Sequence, residues 1–125
     1  MTELNEEMKK ELVEYQNMQQ QLQLILLQKQ QIQIQLNETE RAEEELKKSE
    51  GKFYRFAGSV LIPKEKEVLK KELKEEKESL ELRKSVIQKQ EEKITERMNS
   101  VRKKFEEYGR GPGGNKSVGD EASAA

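Results

Sequence analysis

The stretch Lys52-Phe53-Tyr54-Arg55-Phe56-Ala57-Gly58-Ser59-Val60-Leu61-Ile62 is rich in aromatic and β-branched residues and has Ala-Gly-Ser at its middle. That is the pattern of a short β-hairpin, with Gly58 free to take the positive φ that a tight turn requires. The stretch holds three of the chain's six Phe and Tyr residues, yet it is too small to bury them within itself, and an isolated two-stranded hairpin is marginal in water. Fully buried, Phe53, Tyr54, Phe56, Val60, Leu61 and Ile62 represent on the order of 10 kcal/mol that one chain cannot collect. Edge strands also leave backbone donors and acceptors unpaired, inviting strands from other chains. The expectation is oligomerisation through shared sheets; the plainer alternative is a hairpin packed on its own helix ends. Pro63 follows the stretch, and because proline cannot donate to a ladder, strand two is expected to end early or to lie at an edge there.

On either side lie long segments without a helix breaker: the first glycine is Gly51, and the only prolines are Pro63 and Pro112. The chain divides accordingly into helix 1 (1–50), the hairpin insert (51–63), helix 2 (64–108) and a tail (109–125) whose Gly, Ser and Pro content predicts disorder. In the first segment Met8, Tyr15, Leu22, Lys29 and Leu36 lie seven apart, and Met18, Ile25, Ile32, Thr39 and Leu46 form a companion row. These are the two seam rows of a heptad, with Lys29 and Thr39 as polar lapses. Ten Gln fall among residues 16–35; the alternation from Gln31 to Leu36 would read as a strand by itself, but heptads run through it and Gln is a good helix former. The added apolar residues Leu24, Leu26, Leu27 and Ile34 widen the arc beyond one seam.

Helix 2 carries the row Leu73, Leu80, Ile87, Ile94, Val101 and Tyr108, while its companion row turns polar after Leu69 through Glu76, Arg83, Gln90, Arg97 and Lys104. One good row suits a helix lying along a single partner, which is its own first helix. Charge agrees: residues 1–50 hold 6 basic and 11 acidic side chains (-5), and residues 51–108 hold 16 basic and 12 acidic (+4). Folding at the insert sets Leu46 near Leu69, Leu36 near Leu80 and Met8 near Tyr108, with both chain ends at a far tip. The expected fold class is mainly α: a long antiparallel two-helix coiled coil joined by a short β-hairpin.

Composition excludes several classes of function. Charged residues make up 39% of the 125 and hydrophobic ones 32%, too few for a thick core. With no Cys or His, and Asp120 the only Asp, disulfides, thiolate or imidazole metal sites and His- or Cys-based catalysis are out. The longest apolar run, Leu24 to Leu27, is far short of the roughly 20 residues that span a bilayer, and no signal-peptide core follows Met1; a soluble cytoplasmic protein is expected. A net charge of -1, with bases and acids interleaved along helix 2, argues against nucleic acid. Carboxylate pairs such as Glu75-Glu76 and Glu91-Glu92 have the spacing of exposed helix surface and nothing to desolvate them as acid and base. Gly109, Gly111, Gly113 and Gly114 follow a helix and do not join a strand to one, so no phosphate loop is formed and no cofactor is expected.

The order of these features resembles the β-type subunit of prefoldin, in its archaeal form, over roughly residues 8–108. The Gln-rich run Tyr15-Gln16-Asn17-Met18-Gln19-Gln20-Gln21-Leu22-Gln23 is similar to that family's first helix, as is Leu36-Asn37-Glu38 followed by Ala42 and Leu46. Tyr54-Arg55-Phe56-Ala57-Gly58-Ser59-Val60-Leu61 resembles its hairpin, and Ser79-Leu80-Glu81-Leu82-Arg83 with Gln90-Glu91-Glu92-Lys93-Ile94 its second helix. Pro63 departs from the pattern. A single insert matches the β type; the α type carries two. The resemblance implies a hexamer of two α and four β subunits whose hairpins (Phe53, Tyr54, Phe56, Gly58, Val60, Leu61, Ile62) build a double β-barrel with six coiled coils hanging from it. It implies an ATP-independent chaperone, not an enzyme, that holds unfolded proteins at the coil tips and passes them to a group II chaperonin.

In such a frame the tip set is Leu4, Met8, Leu12 and Val13 from helix 1 with Met98, Val101, Phe105 and Tyr108 from helix 2. It is read as a groove for apolar segments of an unfolded client, to which flexible Met is suited, or else as coiled-coil core. The basic cluster Arg102, Lys103, Lys104 and Arg110 is read as a solvated helix face or, in the alternative, as a contact with an acidic chaperonin surface. A coiled-coil oligomerisation or tethering module without chaperone activity is the alternative function.

Overall fold

The structure, a computed structural model, describes residues 5–110. Helix α1 spans Glu6–Lys48, strand β1 Phe53–Ala57, strand β2 Val60–Lys64 and helix α2 Lys66–Arg110. Asn5 caps α1: its Oδ1 accepts the Met8 amide at 2.7 Å, and Glu6 and Glu7 in the first turn with Lys47 and Lys48 in the last complement the helix dipole. Beyond Ser49, Gly51 takes φ 109°, a left-handed conformation that lets the chain leave the helix line. The expected fold class stands: two long helices joined by one antiparallel hairpin.

Of the two outcomes expected at Pro63 the edge strand is the one found, and both bounds of helix 2 differ from expectation. β2 does not end before Pro63 but continues through it to Lys64, which pairs with Phe53; in a two-stranded sheet it is an edge strand, where proline is tolerated. Because Lys64 belongs to β2, α2 begins at Lys66, and it continues through Gly109 to Arg110. The remainder of the expected tail, from Gly111, lies outside the described residues.

The described residues form two compact units, 5–25 with 90–110 and 26–89. In the terminal unit the α1 seam is Met8, Met18 and Ile25, and α2 supplies Val101, which has no exposed surface. Arg97 is bidentate to Glu14 at 2.9 and 3.2 Å, and Lys104 Nζ donates to Glu11 Oε1 at 2.8 Å. In the hairpin unit the seam is Ile32, Leu36 and Leu46 against Leu69, Leu80 and Ile87, all buried. Thr39, one of the polar lapses, is buried there with its hydroxyl donating to the Gln35 carbonyl at 2.8 Å. Lys84 reaches Gln33, Lys77 reaches Glu43, and Lys66 Nζ donates to the Ser49 carbonyl. In both units the pairings run in opposite chain directions, so the helices are antiparallel. The ion pairs Glu11–Lys104, Glu14–Arg97 and Glu43–Lys77 each join an α1 carboxylate to an α2 base, in keeping with the opposite charges of the two arms.

Candidate functional site

β1 and β2 pair in the register Phe53↔Lys64, Tyr54↔Pro63, Arg55↔Ile62, Phe56↔Leu61, Ala57↔Val60. Gly58 has φ 64° and no other residue of the turn has positive φ, which is the pattern of a two-residue turn with glycine first. Side chains alternate across the sheet, so the register sorts them into two faces. On one, Phe53, Arg55 and Lys64 are half-buried: Arg55 pairs with Glu76 and, at 3.8 Å, with Glu72 of α2, Lys64 reaches Glu72 at 3.2 Å, and Lys66 Nζ sits 5.8 Å from the Phe53 ring centre. Glu72 and Glu76 are one helical turn apart, so a single stripe of α2 holds this face down.

The other face is Tyr54, Phe56, Leu61 and Pro63, with no polar side chain except the Tyr hydroxyl. Phe56 is 72% exposed, Leu61 50% and Tyr54 49%. Four adjoining apolar side chains left in water on so small a sheet mark an interaction surface. Of the hairpin residues expected from sequence, Tyr54, Phe56 and Leu61 lie on this open face; Phe53, Val60 and Ile62 lie on the other, Val60 and Ile62 beyond the helices' cover and still exposed. Sequence reasoning missed Arg55, the residue that decides which face opens. A lone base on a strand opposite the run Glu72-Leu73-Lys74-Glu75-Glu76 was the available signal.

In the terminal unit the expected tip residues separate. Met8 and Val101 are buried in the seam. Leu12 (38%), Val13 (55%) and Tyr108 (43%) are exposed, and Met98 and Phe105 are half-buried. Leu4 and the side chain of Arg110 lie outside the described residues. Arg102, Lys103 and Lys104 are exposed, although the Lys104 ammonium is held by Glu11. Missed altogether was Glu11, buried seven residues before Met18 in the same seam row; its Oε2 has no hydrogen-bond partner among the described residues. The Arg97 hydrogen bond holds the Glu14 carboxyl below its ordinary value, and Glu14 and Glu11 in turn raise Arg97 and Lys104. No helix among the described residues is long and apolar enough to cross a membrane, and no group of their acidic side chains is placed to hold a metal.

These features define a class: paired antiparallel helices carrying one β-hairpin with an uncovered apolar face. The family model described as "Prefoldin subunit" matches residues 9–109, and the chain belongs to that family, whose members are components of a chaperone and not enzymes. The chain is 38% identical over 108 residues to the prefoldin subunit beta of Archaeoglobus fulgidus, covering 85% of this chain and 93% of that one. It is 36% identical over 110 residues to that of Sulfolobus acidocaldarius, covering 86% and 88%. The crystal structure of the prefoldin beta subunit from Thermococcus strain KS-1 superposes with a TM-score of 0.76 at 29% identity, covering 85% of this chain and 95% of that one.

Proposed function

We propose that this chain is the β-type subunit of a cytoplasmic hexameric chaperone, two α-type and four β-type subunits, that holds unfolded proteins without ATP and delivers them to a group II chaperonin. The observation that carries the reading is the open face of Tyr54, Phe56, Leu61 and Pro63: it needs cover, and hairpins of neighbouring subunits joined into a double β-barrel supply it. The exposed Leu12, Val13 and Tyr108, flanked by Met98 and Phe105 and backed by the buried Met8 and Val101, receive apolar segments of the client. Leu4 extends this set at the N-terminus. Several such weak surfaces on one assembly hold a single client reversibly through effective concentration. Arg102 and Lys103, with Lys104 and Arg110, face the acidic surface of the chaperonin, and reversing their charge should weaken chaperonin binding at low salt.

The test is truncation of the first twelve residues in the assembled complex. Protection of an aggregating, chemically unfolded protein should be lost while native mass is unchanged. Loss of the complex would overturn this division between hairpin and helix ends. The burial of Met8 and Val101 favours a second reading, a coiled-coil scaffold without chaperone activity; an intact assembly that leaves the aggregation of unrelated proteins unchanged would select it.

A further inference from the structure

The two edges of the hairpin are chemically unequal. Rungs of an antiparallel pair alternate between hydrogen-bonded and non-hydrogen-bonded. A two-residue turn closes on a hydrogen-bonded pair, here Ala57 and Val60, so Arg55↔Ile62 and Phe53↔Lys64 are also bonded rungs. Phe56↔Leu61 and Tyr54↔Pro63 fall between them. At those two rungs the amides and carbonyls point away from the hairpin. The outer edge of β1 therefore offers two donors and two acceptors, from Tyr54 and Phe56. That of β2 offers two acceptors but only the Leu61 donor, because Pro63 has no N–H.

We propose that β1 is the edge through which the chain pairs with a second copy of itself, β1 against β1 about Arg55, and that Pro63 withholds the β2 edge from such self-pairing. This rests on the shared-sheet reading above and names its seam. Antiparallel pairing sets Tyr54 of one copy opposite Phe56 of the other, twice, giving four backbone hydrogen bonds and two cross-strand aromatic pairs on the open face. The same arrangement of β2 against β2 makes two bonds and leaves two Leu61 carbonyls facing proline rings. Space exists beside β1: an open groove of about 620 Å³ lies among Tyr54, Phe56, the Glu38, Ala42 and Glu45 face of α1, and Ser49 just past its end. Its carboxylates suit an incoming segment that brings a base, Lys52, just before its strand. The two Arg55 side chains that meet at the centre are already engaged by Glu72 and Glu76. A two-fold pairing of this kind closes on itself for the chain alone, and the outer β2 edges that remain, each with two acceptors and the Leu61 donor, are poor edges for a further copy but stay open to strands of other subunits.

Sedimentation equilibrium of the full-length chain alone, with variants, tests the assignment. Tyr54→Pro removes an outward donor without touching a ladder bond, and Tyr54→Val controls for the lost ring. Self-association of Tyr54→Pro should be about tenfold or more weaker than that of Tyr54→Val, at equal helicity. Pro63→Val restores the missing donor and should give species larger than those of the wild type. Equal association of the two Tyr54 variants, or an unchanged mass distribution for Pro63→Val, would overturn the proposal. If Tyr54→Pro loses helicity, Phe56→Pro against Phe56→Val asks the same question one rung away. A wild-type chain that is monomeric alone but enters a larger complex in archaeal cell extract would overturn pairing with a second copy while leaving the shared-sheet reading in place.

Discussion

Glu11 occupies a seam position whose counterparts at seven-residue intervals are Met18, Ile25 and Ile32, and it is the one charged side chain buried in that row. A buried carboxylate with one oxygen paired and the other unpartnered gains little net stability, and an apolar replacement of similar volume is often neutral or better. Glu11→Leu should therefore keep or raise the melting temperature measured by circular dichroism. The pair Glu14–Arg97 lies at the surface, and its effect on stability follows from the lowered Glu14 carboxyl. Relative to its ordinary value of 4.5, the folded state releases the Glu14 proton more readily than the unfolded chain. The contribution is thus present above about pH 4.5 and is lost as pH falls through the folded value. Lys104, raised from 10.5, contributes below that value and stops contributing as pH rises through its folded one. Amide exchange of residues 11–14 should be slowest, after correction for intrinsic rates, between about pH 5 and 10; protection that increases on acidification below pH 4 would contradict the assignment. At Gly58 a side chain would meet open space, so the cost of Gly58→Val is that of the positive φ alone, about 1–2 kcal/mol, read as a loss of assembly midpoint in urea.

The helices were legible because their signal repeats: every apolar member of the α1 rows that lies among the described residues is buried or half-buried, and so is every apolar α2 row member except Tyr108. Ile32, 1% exposed, is the best-sealed of the α1 seam residues. Ile32→Ala should cost about 2–5 kcal/mol, measured by thermal unfolding. The hairpin was legible as an element from its glycine and its aromatic content. Which way it faced was not, because faces follow from register, and register follows from turn length and from the Arg55 anchor on α2. Pro63 left two outcomes open for the same reason: its cost to a strand depends on whether its rung needs a donor, and a two-residue turn places it on an edge rung that does not. Arg55→Ala should loosen the hairpin from Glu72 and Glu76 while α1 and α2 stay helical, seen as faster amide exchange at Phe53 and Arg55 against unchanged exchange around Ile32 and Leu80. At the helix ends sequence pattern marks apolar positions but not their exposure; a three- or four-residue step decides between Met8, sealed in the seam, and Leu12, open to water.

Apart from the exposed helix residues Leu24, Leu26, Leu27, Ile34, Val68, Leu82 and Val86, the described residues keep apolar surface uncovered in two places, the hairpin and the terminal-unit residues Leu12, Val13 and Tyr108. Substituting each separately should divide the phenotype. Leu12→Ser with Val13→Ser and Tyr108→Ser should lower aggregation suppression several-fold in a complex of unchanged mass, because each lost contact removes apolar area from a multivalent hold. The most direct test of the account is the native mass of the wild-type chain mixed with a two-hairpin prefoldin partner, beside a Phe56→Asp, Leu61→Asp variant, with helicity followed in both. The account predicts a defined hexamer containing four copies of the wild-type chain, and a variant that stays helical but does not enter it. A wild-type chain that remains a monomer or dimer under all conditions, or a variant that assembles equally well, would contradict it.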